Sequence, residues 1–129
     1  MMGISSKYYN IKTRASDGKI FDSSKEASRY EKLLLLQKGG LIYDLKTQVK
    51  YELVPAQYET YPRFSKKGER LKDGKKLIER KVEYVADFVY TDARTGETIV
   101  EDTKGVRTKD YIIKRKLMLA VHGIHIKEI

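Results

Sequence analysis

The sequence predicts a mixed α/β domain with the element order β-hairpin, α, β, β, β, α, β. Three observations carry that expectation. A well-capped helical pattern, "FDSSKEASRYEKLLLLQKGG", follows an Asp-Gly turn. Two runs rich in β-branched and aromatic residues, "VEYVADFVY" and "TIVEDTK", are separated only by the turn "TDARTGE". A second helical pattern then runs from Thr108 to Gly123. The chain has 129 residues and no internal repeat. That is enough for one core, so a single domain over 1–129 is expected.

Residues 7–21 read as a β-hairpin outside the core, with "KYYNIKTR" leading into the turn at Asp17-Gly18 and "KIF" returning. In the first helix Ser23 stands at the N-cap and Glu26 three residues on, the spacing of a capping box. Tyr30, Leu33, Leu34 and then Leu36 or Gln37 recur at helical spacing until Gly39 and Gly40 end the pattern. "LIYDLKTQVKYELV" alternates as one long strand, or as two with a bend, and Pro55 stops it. Residues 56–81 are dense in Lys and Arg and are broken by Gly68 and Gly74, which suggests an extended basic hairpin or a mobile loop inserted in the core. The two strands that follow are expected to pair antiparallel, because their connection is short. In the last helix Thr108 is the expected N-cap. Tyr111, Ile112, Leu117, Met118 and Val121 form the expected apolar side, and "IHIKEI" is a short final strand.

Composition narrows the partners. The formal net charge is +9, which favours a polyanion through long-range attraction and counterion release. Lys66, Lys67 and Arg70 in the basic segment, with Lys109, Lys114 and Arg115 on the last helix, are the candidate DNA-phosphate contacts; a merely solvated charged face is the alternative. The ten tyrosines read mainly as half-buried strand residues. No cysteine is present, and His122 and His125 have no evident third ligand, so no zinc site is expected. No membrane partner is expected either, since no apolar run approaches the ~20 residues of a membrane helix. The N-terminus lacks the apolar region of a signal peptide, and a cytoplasmic location is expected.

The charges at 101–104 are the feature that a core strand does not explain. By alternation, Asp102 and Lys104 share one face and Glu101 and Thr103 the other. Asp87 is the lone charge within "YVADFVY". An unpaired carboxylate there costs several kcal/mol, or its pKa rises instead. If the two strands pair, Asp87 and Asp102 approach, and two carboxylates need a cation between them. Mg²⁺ suits such a site, because it takes oxygen ligands and binds through one or two carboxylates plus phosphate. Lys104 beside it would orient or deprotonate water and stabilise charge on a phosphate. A structural Asp–Lys ion pair is the plainer alternative. Asp92 and Glu97 are expected to be solvated in the turn.

"ADFVY…VEDTKG" resembles the signature of the PD-(D/E)xK nuclease superfamily, with Asp87 as the first acid and Asp102-Thr103-Lys104 as the D-x-K element. Ala86 stands where the signature has proline, and Asp102 where glutamate is commoner; neither change removes a ligand group. The order of "FDSSKE", "VKYEL", "ADF", "VEDTKG" and a basic helix, over about residues 20–129, is similar to the junction-resolving endonuclease I of lytic phages. It is similar as well to an uncharacterised phage and prophage family. The resemblance implies a restriction-endonuclease-like αβββαβ core with a mixed sheet over 22–129, and a phage- or prophage-encoded protein in a bacterial host. It implies catalytic Glu26, Asp87, Asp102 and Lys104, with the metal held by Asp87, Asp102, the Thr103 backbone carbonyl and Glu26. It implies Mg²⁺ as cofactor, with Mn²⁺ substituting. The expected activity is Mg²⁺-dependent hydrolysis of DNA, branched DNA such as a four-way junction above all, by a homodimer whose first 20 residues are candidates for the contact. The alternatives are a basic module that binds nucleic acid without cutting it, and a nicking or sequence-specific endonuclease.

Overall fold

The computed structural model describes residues 11–104 and 106–129. Strands β1 (Thr13–Arg14) and β2 (Ile20–Phe21) form a short antiparallel hairpin, followed by helix α1 (Ser24–Lys38). β3 (Ile42–Val54), β6 (Val82–Asp92), β7 (Thr98–Asp102) and β8 (Lys127–Glu128) make one sheet in that order. The pairs β3–β6 and β6–β7 are antiparallel and β7–β8 is parallel, so the sheet is mixed. Helix α2 (Lys109–His122) makes the crossover between the parallel strands. Among the described residues, β4 (Gln57–Phe64) and β5 (Arg70–Glu79) pair only with each other.

The two helices cover opposite faces of the sheet. Ala27, Tyr30 and Leu33 of α1 pack with Phe21, Ile42, Phe88 and Tyr90. Tyr111 and Met118 of α2 pack with Tyr84, Ala86, Val89, Val100 and Ile126. Phe88 and Val89 thus face different helices, as alternation requires. Leu33, Phe88 and Met118 are fully buried, each stabilising by about 1.5–3 kcal/mol relative to an exposed side chain.

The buried side of β6 changes at one point. Tyr84 and Ala86 pack towards α2, yet Phe88 and Tyr90 pack towards α1, so the alternation slips at Asp87. The partner strand β3 is one strand rather than two, with positive φ at Asp44 (59°) and Gln48 (53°).

Several expectations change. Among the described residues the N-terminal hairpin pairs 13–14 with 20–21; residues 7–10 of the expected hairpin lie outside the described residues. Much of the segment expected to make a dimer contact lies there too. The basic segment, by contrast, is a regular antiparallel hairpin, the first of the two forms expected. Its strand residues are exposed except Gly74, which lies under the Tyr61 ring: a Cβ at 74 would sit 2.3 Å from a ring carbon. Val121 is half exposed instead of joining the apolar side of α2, because Tyr111 and Met118 define the buried stripe. β7 ends at Asp102, two residues before the expected end. Among the described residues, no helix is long and apolar enough to cross a membrane.

Candidate active site

The β6–β7 register runs from Thr91↔Thr98 to Phe88↔Glu101. Continued by one position, it sets Asp87 across from Asp102. The Asp102 carboxyl is pushed up to about 6, by burial first, with the charge of Asp87 also raising it. The Tyr84 hydroxyl donates to Asp102 Oδ2 at 2.5 Å and opposes that rise. Asp102 is 1% exposed, and its Oδ1 is buried without a hydrogen-bond partner. The nearest cation is Lys104 Nζ, 3.7 Å from that oxygen. An unsatisfied buried carboxylate oxygen costs about 1–3 kcal/mol or more, so this atom calls for a ligand.

Lys104 is held by contact with α2. Its Nζ lies 4.9 Å from the centre of the Tyr111 ring, within cation–π range. The Tyr111 hydroxyl donates to Glu128 Oε2 at 2.6 Å. Arg107 and Arg115 also hold Glu128 and keep its carboxyl down at about 2. Lys104 and Lys114 line one cavity of about 250 Å³ with Tyr84, Val85, Thr108 and Tyr111. The Thr108 side chain caps α2 at this end, accepting from the Tyr111 N–H at 3.1 Å.

Glu26 lies within electrostatic reach of the same carboxylates. Ser23 Oγ accepts from the Glu26 N–H at 3.1 Å, so the expected N-cap forms. The reciprocal bond from the Ser23 N–H to the Glu26 carboxylate is not made among the described residues, and the capping box is only half built. The carboxyl is free to face the strands. Its pKa is pushed up to about 7, by burial first and then by the charges of Asp87, Asp22 and Asp102, with Lys104 opposing.

Thr103 departs from the expected alternation because β7 has already ended. Its N–H and hydroxyl both donate to Asp87 Oδ2, so it joins the Asp87 side rather than the Glu101 side. Its observed contacts are these donors, whereas the ligand expectation rested on its carbonyl. Glu101 does face away, as expected. It is fully buried, held by Arg29 through bonds of 2.8 and 2.6 Å and by the Tyr90 hydroxyl, and it ties β7 to α1.

The phosphate-contact candidates fall into two groups. Lys66 and Lys67 are exposed between β4 and β5, and Arg70 pairs with Asp73 at 2.5 Å and lies 5.6 Å from the Phe64 ring centre. On α2, Lys109 is exposed at the first turn and Lys114 lines the Lys104 cavity, whereas Arg115 pairs with Glu128 at 3.3 Å. Asp92 is not simply solvated, since its Oδ1 accepts from the Arg94 N–H and its carboxyl is held below the usual range. His122 is exposed, with Nε2 2.7 Å from the Glu52 carbonyl oxygen.

Tyr84 and Gln48 were not among the expected site residues. Tyr84 reads as a core aromatic in sequence, and only the fold brings its hydroxyl to Asp102. Gln48, flanked by the pairs Thr47↔Phe88 and Val49↔Ala86, stands opposite Asp87. Among the described residues, no group of three or more His, Cys, Asp or Glu side chains is gathered closely enough to hold a metal ion.

A family model described as a protein of unknown function (DUF1064) matches residues 5–126, and the chain belongs to that family. No curated protein and no solved structure matches the chain.

Proposed function

We propose that this DUF1064 chain is a Mg²⁺-dependent DNA endonuclease, with a restriction-endonuclease-like core built from α1, β3, β6, β7, α2 and β8. The observation that carries the reading is the buried, unpartnered Oδ1 of Asp102, 3.7 Å from Lys104 Nζ and across the strands from Asp87. A structural ion pair would close on that oxygen; this one stops short of a hydrogen bond.

The residues fit a hard divalent cation. Asp87, Asp102 and Glu26 supply carboxylate oxygens only, and burial together with mutual repulsion raises two of them. The same repulsion accounts for their not being drawn together without a cation. When bound, Mg²⁺ supplies Lewis acidity and offsets charge on a phosphodiester.

The rest of the chemistry belongs to the chain. Lys104 donates to a phosphoryl oxygen as charge builds there. Tyr111 beneath its ammonium and Asp102 beside it fix its place. Tyr84 holds Asp102 Oδ2 and leaves Oδ1 for the site. Water attacks phosphorus and the P–O3′ bond breaks, leaving a 5′-phosphate and a 3′-hydroxyl. Lys114 and Lys109 extend the basic surface from Lys104 along α2, and Lys66 and Lys67 extend it on the β4–β5 arm, where phosphates bind without sequence preference. Branched DNA is the preferred substrate in this reading, and a homodimer with one site per subunit matches the near-twofold symmetry of a four-way junction.

The second reading, a basic module that binds without cutting, is favoured by the β4–β5 arm and by the ungathered carboxylates. One experiment separates the two: incubation of a synthetic four-way junction, the matching linear duplex and its single strands, each with Mg²⁺ and with Ca²⁺. The proposal expects cleavage of the junction with Mg²⁺, abolished by Asp102→Asn with binding retained. Binding to all three without cleavage, unchanged by Asp102→Asn, rejects it in favour of the module. Equal cutting of all three substrates keeps the nuclease and removes the junction preference.

A further inference from the structure

Gln48 has a φ of 53°, a left-handed conformation that glutamine adopts at a cost. The other such residue in β3, Asp44, has a local reason: it falls where the β3–β6 register shifts between Tyr43 and Lys46. Gln48 has none. The pairs on either side of it, Thr47↔Phe88 and Val49↔Ala86, keep one register, and no residue is inserted. Aspartate tolerates this conformation and glycine adopts it freely, yet the position carries a longer amide.

The place of the strain is informative. Gln48 stands opposite Asp87, where the buried side of β6 slips. Its side chain is exposed and lines a cavity of about 270 Å³ with Lys19, Ile20, Phe21, Asp22, Glu26 and Thr47. One wall of that cavity is therefore the Glu26 side of the candidate site, and the other carries a lysine from the β1–β2 hairpin. A carboxamide offers two donors and an acceptor, which suits a nucleotide's sugar, base edge or phosphate. Glycine would serve the exchange of faces at no backbone cost, yet a long amide is kept here, beside the charged cluster, and strained backbone clusters at such sites.

We infer that Gln48 is a substrate-positioning residue: its carboxamide contacts the nucleotide adjoining the scissile phosphate, in the cavity beside Glu26, where Lys19 takes that nucleotide's phosphate. The inference rests on the endonuclease reading and adds a subsite to it. The left-handed backbone sets the amide on the cavity side of the strand, and glycine would relax the backbone while deleting the contact.

The test compares wild type, Gln48→Gly and Gln48→Glu for thermal unfolding, for junction binding in Ca²⁺ and for junction cleavage in Mg²⁺. Gln48→Gly is expected to keep or raise Tm, by up to about 5 °C. It should weaken binding roughly tenfold and lower kcat/KM by a similar factor, mainly through KM. Gln48→Glu keeps the side chain's shape, and its added negative charge should weaken binding further. Variants that bind and cut like wild type overturn the inference while leaving the endonuclease reading intact. A wild type that binds without cutting, with both variants weakened, rejects that reading and keeps Gln48 as a nucleotide contact. A wild type that neither binds nor cuts overturns both.

Discussion

Thr103 donates twice to one oxygen of Asp87: its backbone N–H reaches Oδ2 at 2.8 Å and its hydroxyl reaches the same atom at 2.7 Å. The pair fixes the carboxylate just past the end of β7 and leaves its other oxygen outside these bonds. Thr103→Val keeps the N–H bond and the shape of the side chain, and removes only the hydroxyl donor. Cleavage is expected to fall roughly 10- to 100-fold, the worth of one hydrogen bond to a charged acceptor. Asp87→Asn removes the charge itself, and the expected loss is about a thousandfold or more. Single-turnover rates at saturating protein separate the two; equal losses would show that Thr103 does more than orient Asp87.

Tyr84 is the counterpart on the other strand. Its hydroxyl bond to Asp102 Oδ2 holds that carboxyl's pKa below where burial alone would put it. Tyr84→Phe removes the donor, so the Asp102 pKa should rise further. The expected outcome is an acidic limb of the pH–rate profile displaced to higher pH, with a weaker apparent affinity for Mg²⁺. An unchanged profile would place Tyr84 in the core alone.

Stability should depend on pH in an unusual direction. Glu26 is raised from 4.5 to about 7 and Asp102 from 3.8 to about 6. Between about pH 5 and 7 the native state therefore binds more protons than the unfolded state, and stability falls as pH rises through that window. Glu128 acts oppositely: its carboxyl is lowered from 4.5 to about 2, so its contribution is lost as pH falls through 4.5 towards 2, and it offsets the two raised groups below about pH 5. Thermal melts with a chelator should show Tm decreasing from about pH 5 to 7. Mg²⁺ should recover the loss at pH 7, because it binds the ionised carboxylates of the folded state. A Tm that climbs steadily over this range would contradict the assignment.

The charges at 101 and 102 have separate jobs, and stability measurements can tell them apart. Glu101 is fully buried and depends on Arg29 for its two charged bonds. Arg29→Ala leaves that carboxylate stranded, and about 3–5 kcal/mol of stability should be lost in urea unfolding. Asp102→Asn relieves repulsion with Asp87 and Glu26, so its stability should match or exceed wild type while cleavage disappears.

Much of this was legible in the sequence because the signals were local. Ser23 and Thr108 announced both helix starts, and the short turn at 91–97 announced the pairing that brings Asp87 to Asp102. The alternation of 101 and 102 separated their faces correctly. What escaped depends on distant contacts. Thr103 changed sides because β7 ends at Asp102, and nothing in "EDTKG" marks that end. Tyr84 acts through one hydroxyl at the tip of a core side chain. Gln48 is distinguished by a backbone angle that periodicity does not encode, and Val121 has helical spacing without a surface to cover.

The most direct measurement is a calorimetric titration of Mn²⁺ into the protein and into Asp102→Asn at pH 7, repeated in buffers of different ionisation enthalpy. A site built from Glu26, Asp87 and Asp102 predicts saturable binding to wild type with release of roughly half a proton, since Glu26 is near its midpoint there. It predicts weak or no binding to the variant. Absence of binding to wild type, or equal binding to both proteins, would contradict a metal centre at these residues.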